Sequence, residues 1–344
     1  MNPIAGILLI ALGSIGAASF YVPFKKVKQW AWESYWIVQG VAAWLIAPWL
    51  IAFFTIPDGN LLQLLSEAPA RAKLWAMFFG ALWGVGGLTF GLSIRYLGVA
   101  LGQSIALGFC AAFGTLIPPI VAGGELFATR AGILTIIGVA VCIAGIAIIG
   151  YAGSLKNKGL SEEERKRAVK EFALKKGLII AIFAGIMSAC FSFGLEAGKP
   201  IGALALGEKY HTNPLFHDNP ILIFVLLGGF ITNLAYCLYL NIRNGTIRDY
   251  ITGGSGVILN NILFTFLAGF LWFMQFQFFG MGKSKLPESM LPYAWSILMA
   301  LNISFSNIWG IILQEWKGTG KRTIAFLVTG IIILILSTFI VKIA

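Results

Sequence analysis

Charge is what this sequence has least of. Asp, Glu, Lys and Arg together make up 11% of its 344 residues, where a soluble domain carries about a quarter. So few charges cannot solvate a globule of this length. The 58% hydrophobic content and a mean hydropathy of +0.85 point to a bilayer, not water, as the solvent. A net charge of +11 does not indicate nucleic acid, because the basic residues lie in short gaps between apolar runs and form no continuous patch. Cysteine is sparse too. Cys110, Cys142, Cys190 and Cys237 all fall inside apolar runs, at separations matching neither a zinc ribbon nor a secreted disulfide framework, and read as buried thiols. The two histidines, His211 and His217, share a gap with no Cys or paired carboxylates, so no metal site is expected there. Gly282-Lys283-Ser284 resembles the end of a phosphate-binding loop, but Gln277 stands where the upstream glycine is needed. Hydrolase nucleophile motifs and carboxylate-rich motifs are also missing. No cofactor and no catalytic activity are expected.

What the sequence has instead is long apolar runs. Ten are near the 20 residues that cross about 30 Å of hydrocarbon as helix: 4–22, 35–56, 74–94, 100–122, 131–152, 177–196, 221–241, 258–282, 291–313 and 323–343. No Lys or Arg precedes the first run, and Lys25, Lys26 and Lys28 follow it, so it reads as a retained span and not a cleaved leader. Period-two alternation is absent, which excludes a membrane barrel. The expected fold is an all-α integral membrane protein. Gly80 and Gly84, Gly87 and Gly91, and Gly98 and Gly102 recur at four-residue spacing, which predicts faces where neighbouring backbones approach.

Lys and Arg count 17 in the gaps after runs 1, 3, 5, 7 and 9, against 8 elsewhere. The positive-inside rule then puts both termini outside, although residues 153–176 supply eight of the 17. In that stretch Ser161 precedes Glu162, Glu163 and Glu164, a capping-box pattern predicting a short inner-surface helix. The sequence on either side of it is related. Gly80-Ala81-Leu82-Trp83 with Phe90-Gly91 recurs as Gly269-Phe270-Leu271-Trp272 with Phe279-Gly280. Five spans per half make the second copy enter the membrane inverted, a construction of secondary transporters that opens a central site to either side in turn. The expected organisation is a first repeat over 1–152, a cytoplasmic connector over 153–176 and a second repeat over 177–344.

No charged residue lies near the middle of a run, where it would cost about 2.5–3.5 kcal/mol and mark an ion or proton relay. The nearest, Glu33, Arg95, Glu125, Glu196 and Glu315, stand at the edges, so an uncharged substrate is expected. Neutral amides do occur within the runs: Gln39, Gln103, Asn233, Asn260, Asn261, Gln275, Gln277, Asn302 and Asn307. Several share a helix face with an aromatic ring, as in Trp272 with Gln275, Asn233 with Tyr236, and Asn302, Ser306 and Trp309. An amide offers donor and acceptor to sugar hydroxyls, and an indole face suits a sugar's C–H face and methyl group. The competing reading is that such amides join helices. Gln275 and Gln277 point about 200° apart, and Gln275, which shares a face with Trp272, is the preferred contact.

Pro23-Phe24-Lys25-Lys26-Val27-Lys28 with Trp32-Glu33, Gly80-Ala81-Leu82-Trp83-Gly84, Arg95-Tyr96-Leu97-Gly98, Trp272 with Gln275-Phe276, and Glu315-Trp316 before Lys321-Arg322 resemble the L-rhamnose/proton symporter family of the drug/metabolite transporter superfamily. The resemblance runs from the first run to the tenth. It implies uptake of L-rhamnose, a neutral 6-deoxyhexose, across a bacterial inner membrane, driven by proton entry. Two departures, Glu196 where the family has an amide and paired Gln275 and Gln277 where it has one glutamine, bear on fine specificity. On this reading the sugar lies near the midplane between the halves, against Trp83, Asn233, Trp272, Gln275, Asn302 and Trp309. Glu33, Glu125 and Glu196 are the carboxylates expected to couple the proton. A symporter for another neutral sugar, an exporter of metabolites or drugs, and a membrane enzyme or receptor stay open as alternatives. The expected partners are the sugar, protons and the bilayer, with no obligate protein partner.

Overall fold

A computed structural model describes residues 2–97, 99–121, 123, 126–158, 174–314 and 316–340. Among these residues no strand occurs, and ten helices are long and apolar enough to cross a membrane. They are α1 (Pro3–Phe24), α2 (Trp32–Thr55), α3 (Ala70–Ser93), α4 (Ser104–Val121), α5 (Arg130–Lys156), α6 (Lys175–Leu206), α7 (Pro214–Asn244), α8 (Gly254–Lys283), α9 (Glu288–Ile312) and α10 (Lys321–Ile340). Each coincides with one expected run, because the thickness of hydrocarbon fixes the length. The largest extensions are in α6 and α7. Past the expected end of α6 the chain turns at Gly198 into a further helix, Lys199–Leu206. A turn at Pro214–Phe216 opens α7 ahead of its apolar stretch, so His217 belongs to the start of α7 and not to a gap. The helix of α7 stops at Gly245, whose φ of +70° returns its N–H to the carbonyls of Asn241 and Ile242. Ser161 and its glutamates lie outside the described residues, as do Glu125 and Glu315.

The chain forms two compact units, each drawn from both halves of the sequence. One comprises residues 1–11, 85–192 and 285–344. Its core joins α4, α5, α9 and α10. Gly330 of α10 faces Gly145 and Ile149 of α5, and the Tyr293 ring at the start of α9 covers Gly138. The Trp295 indole donates to the Cys110 carbonyl at 3.2 Å and stacks on Phe191 at 5.7 Å, while Thr115 and Ser296 share a hydrogen bond of 2.7 Å. All four cysteines are buried free thiols, as expected.

The other unit comprises residues 12–84 and 193–284, and contains α2, α7 and α8 with parts of α1, α3 and α6. Its tightest seam is α3 on α7. A Cβ on Gly80 would stand 2.9 Å from the Val225 Cα, and one on Gly228 2.7 Å from the Ala81 nitrogen, so only glycine permits this approach. Gly84 continues the seam against Thr232, whose hydroxyl donates to the Ala81 carbonyl at 3.0 Å. The expectation for Gly87 and Gly91 is corrected. Both are exposed, and a Cβ at either would have nothing among the described residues within 4 Å. Four-residue spacing finds a small face but not what that face meets. Gly98 lies outside the described residues.

Candidate functional site

Within the second unit, α2 carries the aromatic residues that organise the membrane interior. Trp32 stacks on Trp36 at 5.3 Å. Val41–Ile46 then forms a wide π-turn, an arrangement frequent at functional sites. The wide turn delays the helix's rotation, and Gly40 before it leaves space for the Trp44 ring. A Cβ on Gly40 would lie 2.6 Å from that ring. Trp44 thereby comes edge-on to Trp36 at 6.0 Å, to Trp83 of α3 at 6.0 Å and to Trp272 of α8 at 5.7 Å. Trp83 and Trp272 are 5.6 Å apart, and Phe276 closes the group at 5.0 Å from Trp272 and 6.3 Å from Trp83. Gly229 of α7 lies beneath Trp83, where a Cβ would stand 2.5 Å from Cε3. The repeated Gly-x-Leu-Trp motif thus places its two tryptophans side by side.

The amides divide by role. Asn233 accepts from Trp36 Nε1 at 3.0 Å and donates to the Gly229 carbonyl at 2.8 Å, holding both an indole and the glycine under Trp83. Gln275 is buried and donates to the Trp272 carbonyl at 3.1 Å. Asn261 exchanges two hydrogen bonds with the Lys28 backbone, and Asn260 donates to the Lys26 carbonyl, so these two fasten the α1–α2 connection to α8. Asn307 donates to the Ile303 carbonyl of its own helix. Gln39 and Gln277 are buried as well. Of the six expected sugar contacts, Trp83, Asn233, Trp272 and Gln275 fall in one unit, with Trp83 and Trp272 in direct contact, while Asn302 and Trp309, both half-buried, belong to the other. Trp44 escapes a reading of the sequence. No motif marks it, and the wide turn that brings it in leaves no clear signal in composition.

The carboxylates differ sharply in setting. Glu33, 5% exposed, accepts from Asn244 Nδ2 at 2.9 Å and Thr246 Oγ1 at 2.8 Å, and has no cation partner among the described residues. Beside it Asp249 accepts from the Ala31 N–H and the Ser34 hydroxyl, and Asn241 bonds Ser34, Thr246 and Tyr250, tying the α7–α8 connection to the start of α2. Burial pushes the Tyr250 phenol up from its usual value. Glu196 is half-buried and pairs with Lys199 at 2.5 Å, one turn along. Glu125 lies outside the described residues. Asp218 is a buried acid that no sequence motif marks. It pairs with Lys283 at 2.8 Å and stands 3.2 Å from His217 Nε2, while His217 Nδ1 donates to the Pro214 carbonyl at 2.7 Å. Between α2 and α3, hydrogen bonds from Lys209 and Tyr210 hold the Glu67 carboxyl below the usual carboxylate range. Among the described residues no three His, Cys, Asp or Glu side chains are grouped to hold a metal ion.

The family described as L-rhamnose-proton symport protein (RhaT) matches residues 2–344. An L-rhamnose-proton symporter of Yersinia pestis (strain Pestoides F) is 37% identical over 344 residues, covering 98% of this chain and 97% of the relative. A protein of the same name from Yersinia pseudotuberculosis serotype O:1b (strain IP 31758) is similar to the same degree.

Proposed function

Because this chain belongs to the L-rhamnose-proton symport family, we propose that it takes up L-rhamnose together with a proton by alternating access, with the indoles of Trp44, Trp83 and Trp272 forming the sugar platform. It is a secondary transporter and not an enzyme. The observation that carries the assignment of the platform is three indoles from α2, α3 and α8 within 5.6–6.0 Å of one another, with neutral amides beside them in place of charges. A 6-deoxyhexose has an apolar C–H face and a methyl group for the rings and hydroxyls for the amides. Gln275 follows from its place one turn beyond Trp272, and Asn233 acts by holding Trp36.

For the proton we favour Glu33. Its carboxylate is buried against neutral donors, so gaining a proton changes a charge that no cation among the described residues neutralises. Proton and sugar must favour the same conformational step for one gradient to drive the other. The inverted pairing of 1–152 with 177–344 supplies the two interchangeable shapes, and the Lys and Arg distribution supports termini outside a bacterial inner membrane. Proteoliposomes given labelled L-rhamnose and an inward proton gradient test the whole reading. Accumulation abolished by a protonophore is expected. No accumulation, or accumulation indifferent to the protonophore, overturns it.

A further inference from the structure

The amide of Gln39 is an anomaly in a membrane interior. The residue is fully buried in α2, yet neither its Nε2 nor its Oε1 has a hydrogen-bond partner among the described residues. Five residues on, Trp44 is 2% exposed and its indole Nε1 is equally unpartnered. Water cannot satisfy these groups from lipid, and buried polar atoms left unpaired are rare because each carries its full desolvation cost. Asn233, Asn241 and Asn261 show that the fold can satisfy buried amides of this unit, and among the described residues only Gln277, with an unpartnered Oε1, shares part of the defect. Gln39 and Trp44 also flank the start of the π-turn, and Gly269, three residues before Trp272, presses against the Gln39 backbone. The unpaired set comprises amide and indole N–H donors and one amide acceptor, with no charge. That is the complement of neighbouring hydroxyls on a neutral ring.

We propose that Gln39 and Trp44 are specificity-determining residues for the sugar: the Gln39 amide donates to one ring hydroxyl and accepts from its neighbour, and the Trp44 N–H donates to a third oxygen. The inference rests on the reading of the protein as a sugar transporter and names the part of the site that reads hydroxyl geometry, which stacked rings alone cannot do. Two acts of recognition are then separate. The ring faces select a hexose with an apolar side, and the amide selects among epimers, because an epimer that misplaces one hydroxyl leaves a buried amide group unpaired.

Gln39→Met tests this, since it keeps the volume and removes both polar atoms. Calorimetric titration of the purified protein with L-rhamnose and with L-fucose, another 6-deoxyhexose, is combined with melting of the sugar-free protein. L-Rhamnose affinity should fall about ten-fold or more, the size of one or two neutral hydrogen bonds. The preference for L-rhamnose over L-fucose should shrink, and the sugar-free melting temperature should hold or rise because an unpaired amide has gone. Trp44→Phe should likewise weaken binding, and it serves if Gln39→Met does not yield folded protein. Wild-type affinity and preference in the variants overturn the inference alone. So does a lower melting temperature with preference intact, which marks a structural role. Absence of L-rhamnose binding by the wild-type protein overturns the functional reading itself.

Discussion

The contact between Gly229 and Trp83 lets the indole platform be tested without altering any of its rings. A methyl group at position 229 would stand 2.5 Å from Cε3 of Trp83, where carbon atoms settle at about 3.5–4.0 Å. The ring must withdraw by roughly 1 Å. It has little room, with Trp272 at 5.6 Å, Trp44 at 6.0 Å and Phe276 at 6.3 Å. Overpacking of this kind costs about 1–3 kcal/mol. If the loss falls on the platform, Gly229→Ala weakens L-rhamnose binding by roughly 5- to 150-fold and lowers the melting temperature. Gly87→Ala and Gly91→Ala are the controls. A Cβ at either meets nothing among the described residues within 4 Å, and each change replaces glycine with a better helix former, so their transport and stability should match or exceed wild type. The assays are the KM for proteoliposome uptake and melting in detergent. A wild-type KM and melting point in Gly229→Ala would show that Trp83 moves without consequence, and the platform would lose its basis.

Glu33→Gln retains an acceptor for Asn244 and Thr246 but cannot take up a proton, so gradient-driven accumulation should vanish while exchange of internal for external sugar persists; accumulation at the wild-type level removes Glu33 from the coupling. Asp218→Asn leaves Lys283, only 22% exposed, with its charge partner gone, and should cost up to about 3 kcal/mol. Adding Lys283→Met should recover much of that in melting experiments, and an additive loss in the double variant contradicts the pairing. Glu67 lies outside the spans, and its carboxyl is held low chiefly by Lys209. A depressed carboxyl contributes stability above its unfolded value and loses it as pH falls through the folded value. The melting difference between wild type and Glu67→Gln should therefore be small and positive at neutral pH and shrink as pH falls below the ordinary glutamate value of about 4.3; a difference that grows on acidification contradicts the assignment.

The spans are legible in the sequence because hydrocarbon thickness acts on length and composition, which the sequence displays directly. Trp83 and Trp272 are legible because the same motif marks both. Trp44 is not, since its place depends on a π-turn and on space above Gly40. Glu196 and Asp218 show a converse difficulty. Glu196 sits at the edge of an apolar run, yet it points to an exposed lysine one turn away. Asp218 precedes the apolar part of α7 and resembles a loop residue, yet Lys283, 65 positions later, meets it in a buried pair. Spacing along one helix cannot reveal a partner on another. The same limit explains why Gly80 and Gly84 face a neighbour while Gly87 and Gly91 meet none among the described residues.

The π-turn makes the residue count of α2 part of its design. Removing one residue from Val41–Ile46 would let the segment rewind into a regular α-helix while the stretches before and after it kept their faces, because the wide turn accommodates one extra residue. Trp36 would stay by Asn233, and the change would fall on the residues inside the turn, Trp44 among them, although composition and hydropathy would hardly change. A single-residue deletion here is a local change, whereas the same deletion in a regular stretch of α2 would rotate one end by about 100° against the other, so two chains that differ by a gap in the turn would differ in how they place Trp44 and little elsewhere.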